Sequence, residues 1–274
     1  MNDSPATGCG GLFPCGPLGY PETGAINGTN ILDDWRSGDD SRVVEPGVGS
    51  VLVALMTPMQ NYLVSTYFID HESEAVQDFV GRIVGSIDEP RTKAVRLFNA
   101  VRDDLWYDPY NVNLKRDAYR ASVILQGTTA YCVPKAIVLA AAGRAVGLPT
   151  RLGYADVRNH LATPRLLEQL GTDVFAFHGF TEIFLEDRWV KVTPTFNSRL
   201  CERFGVLPLE FDGTSDALFQ PFDATGRRHM EYIRDRGSFA DFPFEEMLRV
   251  YAEIYPSLGV ERLEPEEGSP FGTP

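Results

Sequence analysis

One stretch limits the folds open to this chain more than any other. Residues 126–147 read Gln-Gly-Thr-Thr-Ala-Tyr-Cys-Val-Pro-Lys-Ala-Ile-Val-Leu-Ala-Ala-Ala-Gly-Arg-Ala-Val-Gly, a Gly/Thr-rich loop that runs straight into an apolar helix. Pro134 suits a first helical turn, where its missing N–H costs nothing, and Gly147 with Pro149 beyond it marks the end. Cys132 therefore stands at the mouth of the helix. There the unpaired backbone N–H groups and the positive end of the dipole favour thiolate over thiol, so the position predicts a cysteine more acidic than usual and nucleophilic. Many lone cysteines are only small buried hydrophobes, so the nucleophile needs a second observation.

That observation is a histidine on a strand. Residues 178–185, His-Gly-Phe-Thr-Glu-Ile-Phe-Leu, and 188–193, Arg-Trp-Val-Lys-Val-Thr, are rich in β-branched and aromatic residues and flank Glu186-Asp187, which reads as a two-residue hairpin turn. The register then pairs Leu185 with Arg188, Phe180 with Thr193 and His178 with Thr195. Alternation puts His178, Phe180 and Glu182 on one face with Lys191, Thr193 and Thr195. A neighbour on the second strand can thus orient the His178 ring.

Together these residues form a pattern: Gly127-x-x-x-x-Cys132 opening an alanine-rich helix that ends Gly-Leu-Pro-Thr-Arg-Leu-Gly, then His178-x-x-x-Glu182-Ile-Phe-Leu-x-Asp-x-Arg-Trp189-Val-x-Val-x-Pro-Thr. It resembles the bacterial transglutaminase-like superfamily, related in fold to papain-like cysteine enzymes, most strongly over about residues 90–200. Residues 197–247 also resemble a subgroup of uncharacterised bacterial members. The resemblance implies an α+β fold with the nucleophile helix packed on an antiparallel sheet, and acyl transfer through Cys132 with His178 as proton shuttle.

One position departs from the pattern. The superfamily's third triad member is an aspartate fifteen residues after the histidine, and here that residue is Thr193. A hydroxyl can orient imidazole but supplies no charge to stabilise an imidazolium. Thr195 and Asn197 share the parity of Thr193, and asparagine has this role in papain-like enzymes, although Pro194 can break the strand. A cysteine mechanism depends less on the carboxylate than a serine one, because a thiol releases its proton more readily. For the oxyanion, the Cys132 backbone N–H is one candidate donor. Gln126, six residues upstream at the papain-like spacing, is the other.

The expected chemistry is attack of Cys132 on an amide or thioester carbonyl. The acyl donor would be a peptide, an amide or a carrier-protein-bound thioester, and the acceptor an amine or water. The competing class is a weak or inactive member kept as a binding or scaffold module, motivated by Thr193. No cofactor or metal is called for. The four cysteines, Cys9, Cys15, Cys132 and Cys201, show neither a disulfide framework nor zinc spacing. A net charge of −13 disfavours nucleic acid and anionic membranes as partners. With no leader-like or membrane-length apolar run, the expected location is cytoplasmic.

Along the chain, residues 1–46 read as an extended or poorly ordered arm, 47–256 as the transglutaminase-like domain and 257–274 as a tail. Within the domain, 51–66 suggests strand and Ala75–Val84 helix. A helix entered through Pro90 keeps Val95, Phe98 and Val101 at helical spacing. Arg151–Val157 suggests strand, and Thr163 caps a short helix begun by Pro164. Residues 212–237 look like polar loop with short helices, and 243–255 is amphipathic. His160, His229, Arg227 and Arg228 are weaker pocket candidates, more simply explained as solvated groups.

Overall fold

The computed structural model describes residues 59–160, 162–218, 230–255 and 258. The expected arm and Cys9 and Cys15 in it, residues 51–58, Arg227, Arg228, His229 and nearly all of the tail lie outside them. Helices α1 (Glu74–Val84) and α2 (Pro90–Asp104) come first, then a short strand β1 (Trp106–Tyr107), a helical turn α3 (Ala121–Ile124) and β2 (Thr129–Ala130), parallel to β1. The nucleophile helix α4 (Cys132–Ala145) leads to β3 (Thr150–Asn159), α5 (Pro164–Leu170), β4 (Val174–Leu185) and β5 (Arg188–Val192). Helix α6 (Ser198–Phe204), strand β6 (Met230–Phe239) and α7 (Phe244–Ile254) follow. The sheet is antiparallel in the order β5-β4-β3-β6, and the fold is α+β, as expected.

Two helix starts follow their local chemistry. The Glu89 carboxylate accepts the backbone N–H groups of Arg91 and Thr92 ahead of α2, and the Thr163 hydroxyl accepts that of Leu166 in α5, each with proline at the first helical position. Helix α4 has no polar face, for every residue from Val133 to Arg144 is buried. A helix apolar all round must be enclosed, and α4 lies between α1, α2 and α3 on one side and β3 and β4 on the other. Its one arginine, Arg144, donates to the carbonyls of Val64, Thr150 and Ala240 and to the Thr150 hydroxyl. Buried charge is tolerable only when so satisfied.

The hairpin has the expected turn. Leu185 pairs with Arg188, and Glu186 and Asp187 have φ of 49° and 62°, the two positive values of a type I′ turn. The pairing then ends at Thr181 opposite Val192, short of the expected Phe180–Thr193 and His178–Thr195 pairs. The Thr193 N–H donates instead to the Ala217 carbonyl at 2.8 Å, so the chain after β5 leaves β4. In the continued register Gly179 would face Pro194, which has no N–H to give. The strands part there.

Two expectations are corrected. Within 59–66 there is a 3₁₀ turn, Gln60–Tyr62, and no strand. The region 212–237, expected as loop with short helices, contains most of β6. Two register shifts against β3 break the period of two by which a strand is recognised, and Ile233, Arg234 and Asp235 are exposed.

Gly179 fixes where α4 meets the sheet. A Cβ built there would lie 3.0 Å from the Val133 Cα and 3.4 Å from the Cys132 carbonyl oxygen, both backbone atoms that cannot rotate away. Gly179→Ala should therefore push the mouth of α4 off β4. The expected cost is about 1–3 kcal/mol of unfolding free energy, measurable in urea, with slower alkylation of Cys132 in the protein that remains folded. Unchanged stability and alkylation would show that the contact is not tight.

Candidate active site

Cys132 is the first residue of α4 and half-buried. The backbone N–H groups of Gly179, Val133 and Cys132 itself lie toward its sulfur and favour the thiolate. The Gly179 N–H is part of the peptide that follows His178, so the thiol lies alongside the histidine's own strand. On β4 the Thr181 hydroxyl donates to the Ala136 carbonyl of α4 at 2.9 Å, so Gly179 and Thr181 face the helix. His178, Phe180 and Glu182 face the other way. Glu182, with no exposed surface, is held there by Arg151 at 2.9 Å and by the Ser238 hydroxyl.

Electrostatics correct the expectation of an acidic cysteine. Burial pushes the Cys132 thiol up to about 11; the three backbone N–H groups and the Lys135 charge pull the other way without prevailing. Burial alone lowers His178, 4 % exposed, to about 3. Each group is thus driven toward its neutral form, the usual response to a site with little water. No carboxylate at position 193 offsets this.

The candidate third members separate. Asn197 is committed elsewhere. Its Oδ1 accepts the Tyr107 N–H at 2.7 Å, and its Nδ2 donates to the carbonyls of Arg102 at 2.5 Å and Leu105 at 2.9 Å. It seals the end of α2 and has no group left for an imidazole, so its expected orienting role is withdrawn. Thr193 and Thr195 are both buried. The Thr195 carbonyl is taken by Lys135 and its hydroxyl has no hydrogen-bond partner among the described residues. The Tyr232 hydroxyl approaches that of Thr193. Tyr232 was not a sequence candidate, because it lies on the strand mistaken for loop.

Gln126 sits in the turn after α3, its N–H bonded to the Val123 carbonyl at 3.1 Å and its side chain exposed. That exposed side chain makes no hydrogen bond with Cys132 among the described residues. His160 pairs with Glu231 at 3.1 Å. Cys201 is buried on α6. Among the described residues no three His, Cys, Asp or Glu side chains gather as a metal site, and no helix is long and apolar enough to cross a membrane.

Two outcomes follow. Asn197→Ala should cost about 1–3 kcal/mol in urea unfolding, since it strands buried backbone groups, while Cys132 alkylation in the folded protein keeps its rate and pH profile; a changed profile would return Asn197 to the site. For His178, the unfolded chain takes up a proton near the ordinary histidine value of about 6.5 and the folded chain only near 3. As pH falls through that window the unfolded state is favoured by about 1.4 kcal/mol per unit. Half-buried His71, also lowered by desolvation, acts in the same direction. His178→Asn should flatten the loss of stability between pH 6.5 and 4 in urea titrations; an equally steep loss would place the acid sensitivity elsewhere.

Residues 77–194 match the family described as the transglutaminase-like superfamily. No curated protein matches the chain in sequence. Among solved structures, the chain is similar to a "putative cysteine protease" from Cytophaga hutchinsonii, with 16 % identity and a TM-score of 0.39, over 69 % of this chain and 55 % of that one. The chain thus spans little more than half the length of that protein.

Proposed function

We propose that this protein, residues 77–194 of which match the transglutaminase-like superfamily, is a cysteine-dependent enzyme that moves an acyl group from an amide or thioester to an amine or to water through a thioester on Cys132. The observation that carries the proposal is the position of Cys132, at the mouth of α4 where the helix backbone packs against Gly179, the residue after His178.

In this scheme the reaction starts from thiol and neutral imidazole. His178 takes the thiol proton as sulfur attacks the carbonyl carbon, and the carbonyl electron pair moves onto oxygen, met by backbone N–H groups at the helix mouth. Collapse re-forms the carbonyl and breaks the bond to the leaving amine or thiol, which departs with the proton from His178. Water or a second amine then attacks the thioester, His178 accepts its proton, and Cys132 leaves to recover that proton. No carboxylate stands at position 193 to stabilise the imidazolium, so it lives only within each step.

A non-catalytic binding module is the second reading. Thr193 in place of a carboxylate favours it, as does the neutral resting pair. The two separate on intact-mass measurement after incubation with glutamine-containing peptides and with acyl thioesters, using hydroxylamine as acceptor. The acyl-transfer proposal expects an acyl adduct on Cys132, hydroxamate formation, and loss of both in Cys132→Ala. In His178→Ala acylation should slow by about 100-fold or more, the range of general acid–base contributions. An adduct that survives in Cys132→Ala, or none from any donor, contradicts it and favours the binding module.

A further inference from the structure

The nucleophile helix carries a second chemically unusual residue one turn beyond Cys132. Lys135 has no exposed surface. Its Nζ donates to the carbonyls of Arg102, Leu105 and Thr195, each at 2.8 Å. Three acceptors require three N–H donors, which the ammonium has and the neutral amine lacks. The three carbonyls thus favour an ammonium in the interior beside the candidate site, while burial pulls it down to about 7, so the site holds a cation that is charged below about that pH, with its hydrogen bonds going to carbonyls and none to a carboxylate.

Its simplest role is to cap a helix. Two of the carbonyls belong to the end of α2, where orphan oxygens and the negative end of the dipole welcome a cation. Asn197, however, serves the same two carbonyls of Arg102 and Leu105, and a neutral side chain would complete the cap without burying a charge. The third contact is not part of the cap. Thr195 lies just past the point where the chain leaves β4, and Lys135 ties it to α4 at the level of the nucleophile.

We propose that Lys135 is a positioning residue for Cys132: it anchors the segment that parts from β4, and its positive charge favours the thiolate and, during attack, the oxyanion. The second half rests on the acyl-transfer reading; the effect on the thiolate does not. A triad carboxylate promotes charge separation by stabilising the imidazolium. Here position 193 is neutral, and a cation on the nucleophile's own helix promotes the same separation from the sulfur side. The charge of Lys135 lowers the thiol against the effect of burial. The other charged or titratable groups facing Lys135 are Asp103 and Arg102 of α2 and Cys201 of α6.

The test is the pH dependence of Cys132 alkylation by iodoacetamide from pH 6 to 11, with peptide mapping, in the full chain and in Lys135→Met. Burial lowers Lys135 to about 7, so the expected result lies below that pH: alkylation at pH 6 slower by about tenfold in Lys135→Met, with a similar rate near pH 11. A cap that acted only on stability would lower the melting temperature and leave the rate at pH 6 in place, and that outcome overturns the proposal. Should Lys135→Met not fold, ¹⁵N NMR of the lysine side chain decides. Lys135 Nζ should titrate about one unit higher in Cys132→Asp than in Cys132→Asn, and equal midpoints overturn the proposal. Coupling with no acyl adduct on any substrate leaves the electrostatic inference standing and removes the acyl-transfer reading alone.

Discussion

The structure depends on one contact, the mouth of α4 against Gly179 of β4. Because α4 has no polar face it must be enclosed, and because Gly179 has no side chain the helix backbone can approach to a distance at which even a methyl group crowds it. The contact falls where β4 and β5 part. A cysteine that belongs to the helix layer thus lies beside the peptide of a histidine that faces the far side of the sheet. The chain after β5 is kept apart by Ala217 on one side and by Lys135 on the other.

The electrostatics of the site follow from its burial. A thiolate–imidazolium pair is favoured when each ion has a partner and some solvation. Here both groups are pushed toward neutrality, the cysteine upward and the histidine downward, and position 193 supplies no negative charge to reverse the histidine. In the proposed reaction the proton would then move during the attack and would not be transferred in advance. In the proposed scheme the charge that helps it to move is the ammonium one turn along α4.

Much of this was legible in the sequence because it rests on local rules. Pro134 and Gly147 bracket α4, Glu186-Asp187 sets the hairpin register, and the helix mouth places Cys132 at a terminus. What was not legible came from non-local packing. The bulges in β6 hid a strand and Tyr232 with it. Asn197 looked like an orienter by parity along β5, but the chain leaves the sheet after Val192 and spends that side chain on the end of α2. The sign of the Cys132 shift was also out of reach, since the helix terminus is a local feature and the desolvation that outweighs it is not. Lys135 reads in the sequence as an ordinary early-helix lysine; only the fold shows that its three acceptors come from two other segments.

The central claim, a cysteine and histidine that rest neutral until substrate arrives, is tested most directly by ¹⁵N NMR of the His178 imidazole across pH. The account predicts a neutral ring throughout pH 5–9, with protonation only as the value of about 3 is approached, and no change on replacing Cys132 by alanine. An imidazolium present at pH 7 and lost in Cys132→Ala would mean a preformed ion pair, and would contradict the account.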